Sequence, residues 1–206
     1  MVRRMKKGQI SLEFLFIFVL FMILLTFSIR NITFSSEHSS DMLRIQVSEE
    51  AKLFANTVSN AISQVYAQGP GAKTTEYFTF RYLNDNYFLT RAFDMDGTPQ
   101  ILIGYKNGTY VAILDNANQT INVNETETKK KNYFWSRSLY ARDLSNDTSI
   151  YYPNNVVIDS YAGIVVNAAD LPSTLTIVVE WNPDRNESWI FNSTAQELRI
   201  NLNVGG

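Results

Sequence analysis

The chain contains no cysteine and a single histidine, His38, among its 206 residues. Disulfide frameworks, thiol chemistry and zinc sites of the cysteine–histidine type are therefore excluded. The sequence also has no G-x-S-x-G motif and no glycine-rich phosphate loop. We therefore expect a protein that is not an enzyme and that holds no cofactor and no metal.

An excess of positive charge is also lacking, because 18 lysines and arginines stand against 20 aspartates and glutamates. A general nucleic-acid binder needs surplus cations to displace the counterions of the phosphate backbone. With a formal net charge of −2, the sequence predicts no nucleic-acid partner.

Glycine and proline are missing from residues 9–68. These residues cost a helix about 1 and 3 kcal/mol relative to alanine, so their absence permits one long helix of about 85–90 Å. Gly69-Pro70-Gly71 then provides a strong stop. Serines at positions 35–40 compete with backbone hydrogen bonding, and we expect any bend of the helix there.

The longest apolar run, residues 10–32, would form a helix of about 34 Å, which is enough to cross a bilayer. A secretory signal has a shorter apolar core with a small-x-small cleavage site after it, so this run fits a retained helix better. One cation, Arg30, lies near its far end, and four precede it: Arg3, Arg4, Lys6 and Lys7. The positive-inside rule therefore predicts a cytoplasmic N-terminus.

Glu13 lies one turn inside this apolar run. A carboxylate costs about 2.5–3.5 kcal/mol at mid-membrane and less near the interface. One interpretation is that the side chain reaches the cytoplasmic boundary. The other is that a peptidase cuts between Gly8 and Gln9, which places a new α-amino group four residues before Glu13. That amine could then pair with the Glu13 carboxylate of a neighbouring subunit.

The segment Lys6-Lys7-Gly8 followed by Gln9-Ile10-Ser11-Leu12-Glu13-Phe14 resembles the class III signal peptide of archaeal type IV pilins, in the subgroup with a Q-x-S-x-E-F start. The resemblance implies that a membrane-embedded aspartic prepilin peptidase cuts between Gly8 and Gln9 and leaves the apolar helix in the mature protein. It also implies that Glu13 is the glutamate used in filament assembly. If Gln9 cyclises to a neutral lactam, a hydrogen-bonded role of Glu13 replaces the ion pair.

After the apolar run the predicted helix becomes amphipathic and suited to covering a sheet. Its apolar residues recur every three or four positions: Leu43, Val47, Ala51, Phe54, Val58, Ala61, Ile62 and Val65. The residues expected on the opposite, polar face are Glu49, Glu50, Lys52, Asn56 and Asn60.

From residue 74 onward the sequence is typical of strands. Predicted strands cover residues 76–82, 87–93, 101–105, 110–114, 133–140, 156–166, 174–181, 188–191 and 197–204. Asn107-Gly108 is the best short-range hairpin signal. Residues 94–97, Asp-Met-Asp-Gly, lack the remaining ligands of a calcium loop and are predicted to form a turn.

These patterns predict an α+β fold. Its long N-terminal helix, apolar in the first half and amphipathic in the second, packs on a C-terminal antiparallel β-sheet or small sandwich, as in type IV pilins. The expected segments are a cleaved leader (1–8), an apolar transmembrane or filament-core helix (9–34), an amphipathic helix (35–68) and a β-rich extracellular head (72–206).

Six N-x-[ST] sequences are candidate glycosylation sites: Asn107, Asn118, Asn124, Asn146, Asn186 and Asn192. A seventh, at Asn31, falls within the apolar helix and is set aside. The polar stretch 116–131, which ends in three lysines, is predicted to be a solvated loop or a long hairpin tip.

We interpret the chain as a structural subunit, a major or minor pilin, of an extracellular archaeal type IV pilus-like filament that serves surface adhesion. The implied partners are a prepilin peptidase, copies of itself and other pilins, the assembly motor and platform, and the membrane before assembly. Before assembly the protein would be a single-pass membrane protein with a cytoplasmic N-terminus, and afterwards part of a filament or the cell surface. The alternative is a single-span, membrane-anchored surface-binding module that is not assembled and keeps an uncut N-terminus.

Overall fold

The computed structural model describes residues 5–33, 36–116, 121–123, 132–140, 144, 156–158, 162–185 and 189–202. The chain divides into two compact units, Met1–Asp41 and Met42–Gly206. We call the second unit the head.

Three α-helices, one short 3-10 helix and ten strands are described. The α-helices are α1 (Met5–Thr33), α2 (Ser36–Gln68) and α3 (Asn86–Phe93), and the 3-10 helix is Ala168–Asp170. The strands are β1 (Lys73–Thr79), β2 (Thr98–Tyr105), β3 (Gly108–Asn116), β4 (Ile121–Val123), β5 (Tyr133–Arg137), β6 (Val156–Ile158), β7 (Ala162–Asn167), β8 (Thr174–Glu180), β9 (Trp189–Asn192) and β10 (Glu197–Asn201).

The long helical segment is present as α1 and α2. The two residues between them, Phe34 and Ser35, lie outside the described part, so the predicted continuity of the helix and its bend stay predictions. The predicted stop is confirmed, because α2 ends at Gln68 and Gly69 takes φ +89°. Glycine reaches this left-handed conformation without a side-chain clash, and the Gly69 N–H donates to the Val65 carbonyl at 3.1 Å.

The strands form two four-stranded sheets and one two-stranded sheet. The first large sheet has the order β1-β8-β10-β9 and the second β5-β3-β2-β7, while β4 pairs with β6. The pairings are antiparallel except β8 with β10 and β4 with β6, which are parallel. The α+β prediction with a mainly antiparallel head is therefore confirmed.

The apolar stripe of α2 supplies one wall of the head core. Seven of its eight predicted residues are fully buried, and Leu43 packs half-buried against them. Both large sheets contribute buried residues to the same cluster, such as Ile177 from the first and Ile103 from the second. Phe54 packs edge-on against Phe78 and Phe80 at ring-centroid distances of 5.0 and 5.1 Å. One helix face is thus shared by the two sheets.

The predicted hairpin at Asn107-Gly108 is confirmed by the antiparallel β2–β3 pair. Asn107 takes φ +54° and Gly108 takes φ +153°. A Cβ atom on Gly108 would lie 2.3 Å from the Ser136 carbonyl oxygen, so this position requires glycine.

The predicted strand over residues 87–93 is wrong, because these residues form the helix α3. Asp85 precedes the helix in an extended conformation, and its carboxylate accepts a hydrogen bond from the Tyr87 N–H at 2.8 Å. This N-cap stabilises the first turn. Leu89 and Ala92 are buried three residues apart, which is helical rather than strand spacing, and Asp94 ends the helix in the left-handed conformation.

The expectation that Glu50 lies on the polar face of α2 is also wrong. Glu50 is only 8% exposed, and its two carboxylate oxygens accept hydrogen bonds from the backbone N–H groups of Arg81 (2.8 Å) and Tyr82 (2.9 Å). These bonds provide acceptors for the backbone N–H groups just after β1, which no longer pair with a strand. The strand β1 therefore ends at Thr79 rather than at the predicted residue 82. Burial raises the pKa of Glu50, and the two backbone hydrogen bonds oppose that rise.

The outer face of α2 is less polar than predicted, since Met42, Ile45 and Leu53 are 71%, 59% and 59% exposed.

A second polar contact joins α2 to the other large sheet. The Ser59 hydroxyl donates to the Ser136 carbonyl at 2.7 Å and accepts from the Thr109 N–H at 3.1 Å. One turn further on, the Ser63 hydroxyl accepts from the Leu139 N–H at 3.0 Å. Both serines interrupt the apolar pattern, and they bond to backbone groups of β3 and β5 (Ser59) and of the segment just after β5 (Ser63).

We expect Glu50→Ala to lower the free energy of unfolding by about 1–3 kcal/mol, because it removes the buried acceptor of two part-buried N–H groups, those of Arg81 and Tyr82. Unfolding of the full chain in detergent can be followed by the fluorescence of its three tryptophans, all of which lie in the head. The matched control is Glu49→Ala at the neighbouring exposed position. Equal effects of the two substitutions would contradict the assigned role of Glu50.

The raised pKa of Glu50 also predicts a pH dependence. Above the ordinary glutamate pKa of about 4.3, unfolded chains lose this proton while the folded head still holds it. The stability of the wild type relative to Glu50→Gln should therefore fall as the pH rises from about 4 through the raised pKa. A stability difference between the wild type and Glu50→Gln that stays constant over this pH range would contradict the prediction.

Candidate processing and assembly site

The helix α1 carries the residues that the sequence singled out for processing and assembly. Its segment Leu12–Ile29 comprises 18 residues with a mean hydropathy of 2.6, and all of their side chains are exposed. Eighteen helical residues extend about 27 Å, which is close to the thickness of the hydrocarbon core of a bilayer. It is the single helix within the described residues that is long and apolar enough to cross a membrane.

The local sequence explains why this segment is helical. It contains no proline or glycine, and it is apolar on all faces, as a membrane helix or the core of a helix bundle requires. Its one threonine, Thr26, donates its hydroxyl proton to the Met22 carbonyl one turn earlier, at 2.7 Å. The hydroxyl is thus satisfied within the helix itself.

The predicted cleavage site, between Gly8 and Gln9, lies on the same helix, and three residues separate it from the apolar segment that begins at Leu12. Lys6, Lys7, Gly8 and Gln9 belong to α1, while Arg3 and Arg4 lie outside the described residues. Gln9 and Glu13 are four residues apart in one continuous helix, which separates them by about 6 Å along its axis. Glu13 is exposed, and it is the only acidic residue between residues 9 and 33.

Cleavage after Gly8 would change the electrostatics around Glu13. The helix would then begin at Gln9, and its first four N–H groups would have no carbonyl partners within the helix. Together with the new α-amine and the helix dipole, they concentrate positive charge at that end. A carboxylate one turn away is suited to offset this charge, either in its own chain or in a neighbouring copy.

Two of the six candidate glycosylation sites lie in the described part of the head. Asn107 is at the tip of the β2–β3 hairpin, and Asn192 ends β9. Both side chains are exposed. The other four candidates, Asn118, Asn124, Asn146 and Asn186, lie outside the described residues, as do the three lysines that end the stretch 116–131.

The Asp-Met-Asp-Gly segment forms the connection between α3 and β2, rather than the turn between two strands that was predicted. The Asp115 carboxylate accepts hydrogen bonds from the N–H groups of Asp96 (3.2 Å) and Gly97 (2.8 Å). The Asp115 side chain thereby ties this connection to β3.

An apolar groove on the outer surface of the head was missed by the sequence reasoning. It has a volume of about 620 Å³, and its walls include Ile45 and Leu53 of α2 and Phe134 of β5, with Arg44 and Lys52 beside them. Ile45 and Leu53 stand outside the three-to-four-residue stripe, so only their spacing of eight residues, about two turns, indicates that they share a face.

Comparison with known proteins agrees with the features of α1. A family model of the class III signal peptide matches residues 6–32, which include the leader lysines, Gly8, Gln9, Glu13 and the apolar segment. No curated protein and no solved structure matches the chain. A class III signal peptide implies processing by a prepilin peptidase and assembly with other pilins. With its apolar N-terminal helix and its α+β fold, the chain is a type IV pilin-like protein with a class III signal peptide.

Proposed function

We propose that the protein is a structural subunit of an extracellular archaeal type IV pilus-like filament, without catalytic activity of its own. The observation that carries the proposal is the position of Gly8, Gln9 and Glu13 on a helix whose apolar segment is exposed along its whole length. In this role the prepilin peptidase removes residues 1–8, and Gln9 becomes the first residue of the subunit.

In the proposed mechanism, the apolar segment of α1 is shielded from water in two successive environments. The membrane covers it first, with the N-terminus on the cytoplasmic side. The assembly motor and platform then transfer it into a core formed by the same helix of other subunits. Because each apolar side chain gains about 1.5–3 kcal/mol from leaving water, the transfer is possible only if the new environment is equally apolar.

Glu13 would distinguish the two environments. In the membrane it lies near the cytoplasmic boundary, where its carboxylate stays hydrated. In the filament core it is removed from water, and an unpaired buried carboxylate is strongly unfavourable. The amine of Gln9 in a neighbouring subunit, or the lactam N–H if Gln9 has cyclised, would supply the donor.

For the head we propose a role in surface adhesion. Exposed aromatic side chains on three separate elements support it: Tyr77 of β1, Tyr87 of α3 and Trp135 of β5. Aromatic residues supply large contact area at a low cost in conformational entropy. In the proposed filament the heads lie outside the core of apolar helices, so these side chains would be accessible to another surface.

We expect Gly8→Phe to block processing, because a bulky side chain would occupy the position of the small residue at the cut. The intact mass of the protein from membranes should then equal that of the full precursor. Gly8→Ala is the matched control and should still yield a chain that begins at Gln9. A wild-type chain that keeps its first eight residues and stays dispersed in the membrane would instead favour the membrane-anchored surface module.

We expect Glu13→Ala to leave cleavage intact and to reduce filament yield about tenfold or more, since a charge-assisted hydrogen bond contributes about 1.5–3 kcal/mol per subunit. Filaments sheared from cells can be quantified against the processed subunit that remains in membranes. Thr26→Ala is the control on the same helix, because its hydroxyl bonds within the helix. Partial recovery with Glu13→Gln would indicate a hydrogen bond rather than an ion pair, and wild-type yield from Glu13→Ala would refute the proposed role of Glu13.

A further inference from the structure

Two complete N-x-[ST] sequences lie within the described part of the head, and their surroundings are opposite. One is Asn107-Gly108-Thr109 at the start of β3, and the other is Asn192-Ser193-Thr194 at the end of β9. An oligosaccharide transferase reads both the asparagine amide and the hydroxyl two residues later, so the exposure of both groups decides whether a folded chain can be modified.

The first sequence hides its hydroxyl residue. Asn107 is exposed, but Thr109 is fully buried, and its N–H donates to Ser59 of α2 at 3.1 Å. Thr109 also pairs with Tyr105 on one side and Ser136 on the other. A transferase could reach the Thr109 hydroxyl only by separating the hairpin from both α2 and β5.

The second sequence is open along its whole length. Asn192, Ser193 and Thr194 are all exposed in the connection between β9 and β10. The Asn192 Oδ1 accepts a hydrogen bond from the Ala195 N–H at 3.0 Å. This bond identifies the side-chain oxygen and leaves Nδ2 as the atom for substitution. Because Oδ1 keeps its lone pairs when Nδ2 is substituted, the bond is compatible with a glycan.

The outer face of the first sheet provides a surface along which a glycan could lie. Asn192 pairs with Glu197, Glu197 with Thr176, and Thr176 with Tyr77, one residue from each of the four strands. Paired residues share a face, and three strand spacings make this row about 14 Å long. It runs from Asn192 over polar side chains to the ring of Tyr77, which is 70% exposed.

We propose that Asn192 is an N-glycosylation site of the folded head and that Asn107 is not. The donor would be a lipid-phosphate-linked oligosaccharide. In the transfer, Asn192 Nδ2 forms a bond to C1 of the first sugar and loses a proton to the transferase. The bond between C1 and the phosphate oxygen breaks, and the lipid phosphate leaves with that electron pair. The proposal requires the head to cross the membrane but does not depend on filament assembly.

The test is glycopeptide mass spectrometry of the full protein from the cells that make it. Cleavage after glutamate yields the peptide 188–197, which contains Asn192 as its only candidate site, and cleavage before aspartate yields 96–114, which contains only Asn107. We expect the first peptide to carry the added mass of an oligosaccharide, removable by chemical deglycosylation. The second should have its unmodified mass.

Thr194→Ala should abolish the added mass on peptide 188–197 while retaining Asn192 and its bond to the turn. The matched control, Ser188→Ala, removes the neighbouring sequence at Asn186 and should leave that mass in place. An unmodified peptide 188–197, or a glycan on peptide 96–114, would overturn the proposal. The mature N-terminus and the filament yield are measured separately, so failure here is distinguishable from failure of the filament role.

Discussion

The apolar segment of α1 has to be covered by something other than water, and most of the proposed biology follows from that requirement. At about 1.5–3 kcal/mol for each large apolar side chain, leaving Leu12–Ile29 in water would cost tens of kcal/mol. A bilayer and a bundle of identical helices are equally apolar environments. The two environments differ in how they accommodate Glu13. Its carboxylate is tolerated at the hydrated boundary of a bilayer but needs a hydrogen-bond donor inside a protein core.

The head, by contrast, is built around a helix that is apolar on one face. The stripe of α2 from Val47 to Val65 forms one wall of a core that both large sheets share. Polar contacts fix the helix against each sheet, through Glu50 at the end of β1 and through Ser59 at β3 and β5. The apolar packing and these hydrogen bonds therefore specify the same arrangement of the helix.

Much of this arrangement could be predicted from the sequence, because it depends on local signals. The absence of glycine and proline, the helical spacing of Phe54 with its neighbours, and Asn107-Gly108 each act within a few residues. The burial of Glu50 could not be predicted, because its carboxylate accepts hydrogen bonds from the N–H groups of residues 81 and 82, which are more than thirty residues away. The helix α3 was not predicted because its aromatic composition favours strands. In the structure, the N-cap hydrogen bond to Asp85 stabilises a helix instead. The parallel pairing of β8 with β10 left no signal in either strand.

The candidate processing site, in contrast, could be predicted from the sequence alone, because it is a short contiguous motif within residues 6–32.

The contacts along α2 have a mechanical consequence. Glu50, Ser59 and Ser63 bond to strands, or to residues shortly after strands, at three positions spread over about 20 Å of the helix. A pull along the helix axis therefore loads all three attachments together in shear, rather than breaking them one after another as peeling would. At the far end, the Gly71 N–H donates to the Trp181 carbonyl at 2.8 Å and the Trp181 N–H donates to the Ala72 carbonyl at 2.9 Å, which anchors the chain next to the end of β8 just after the helix ends. In the proposed filament subunit, this arrangement would let the head resist tension along α2 without unravelling.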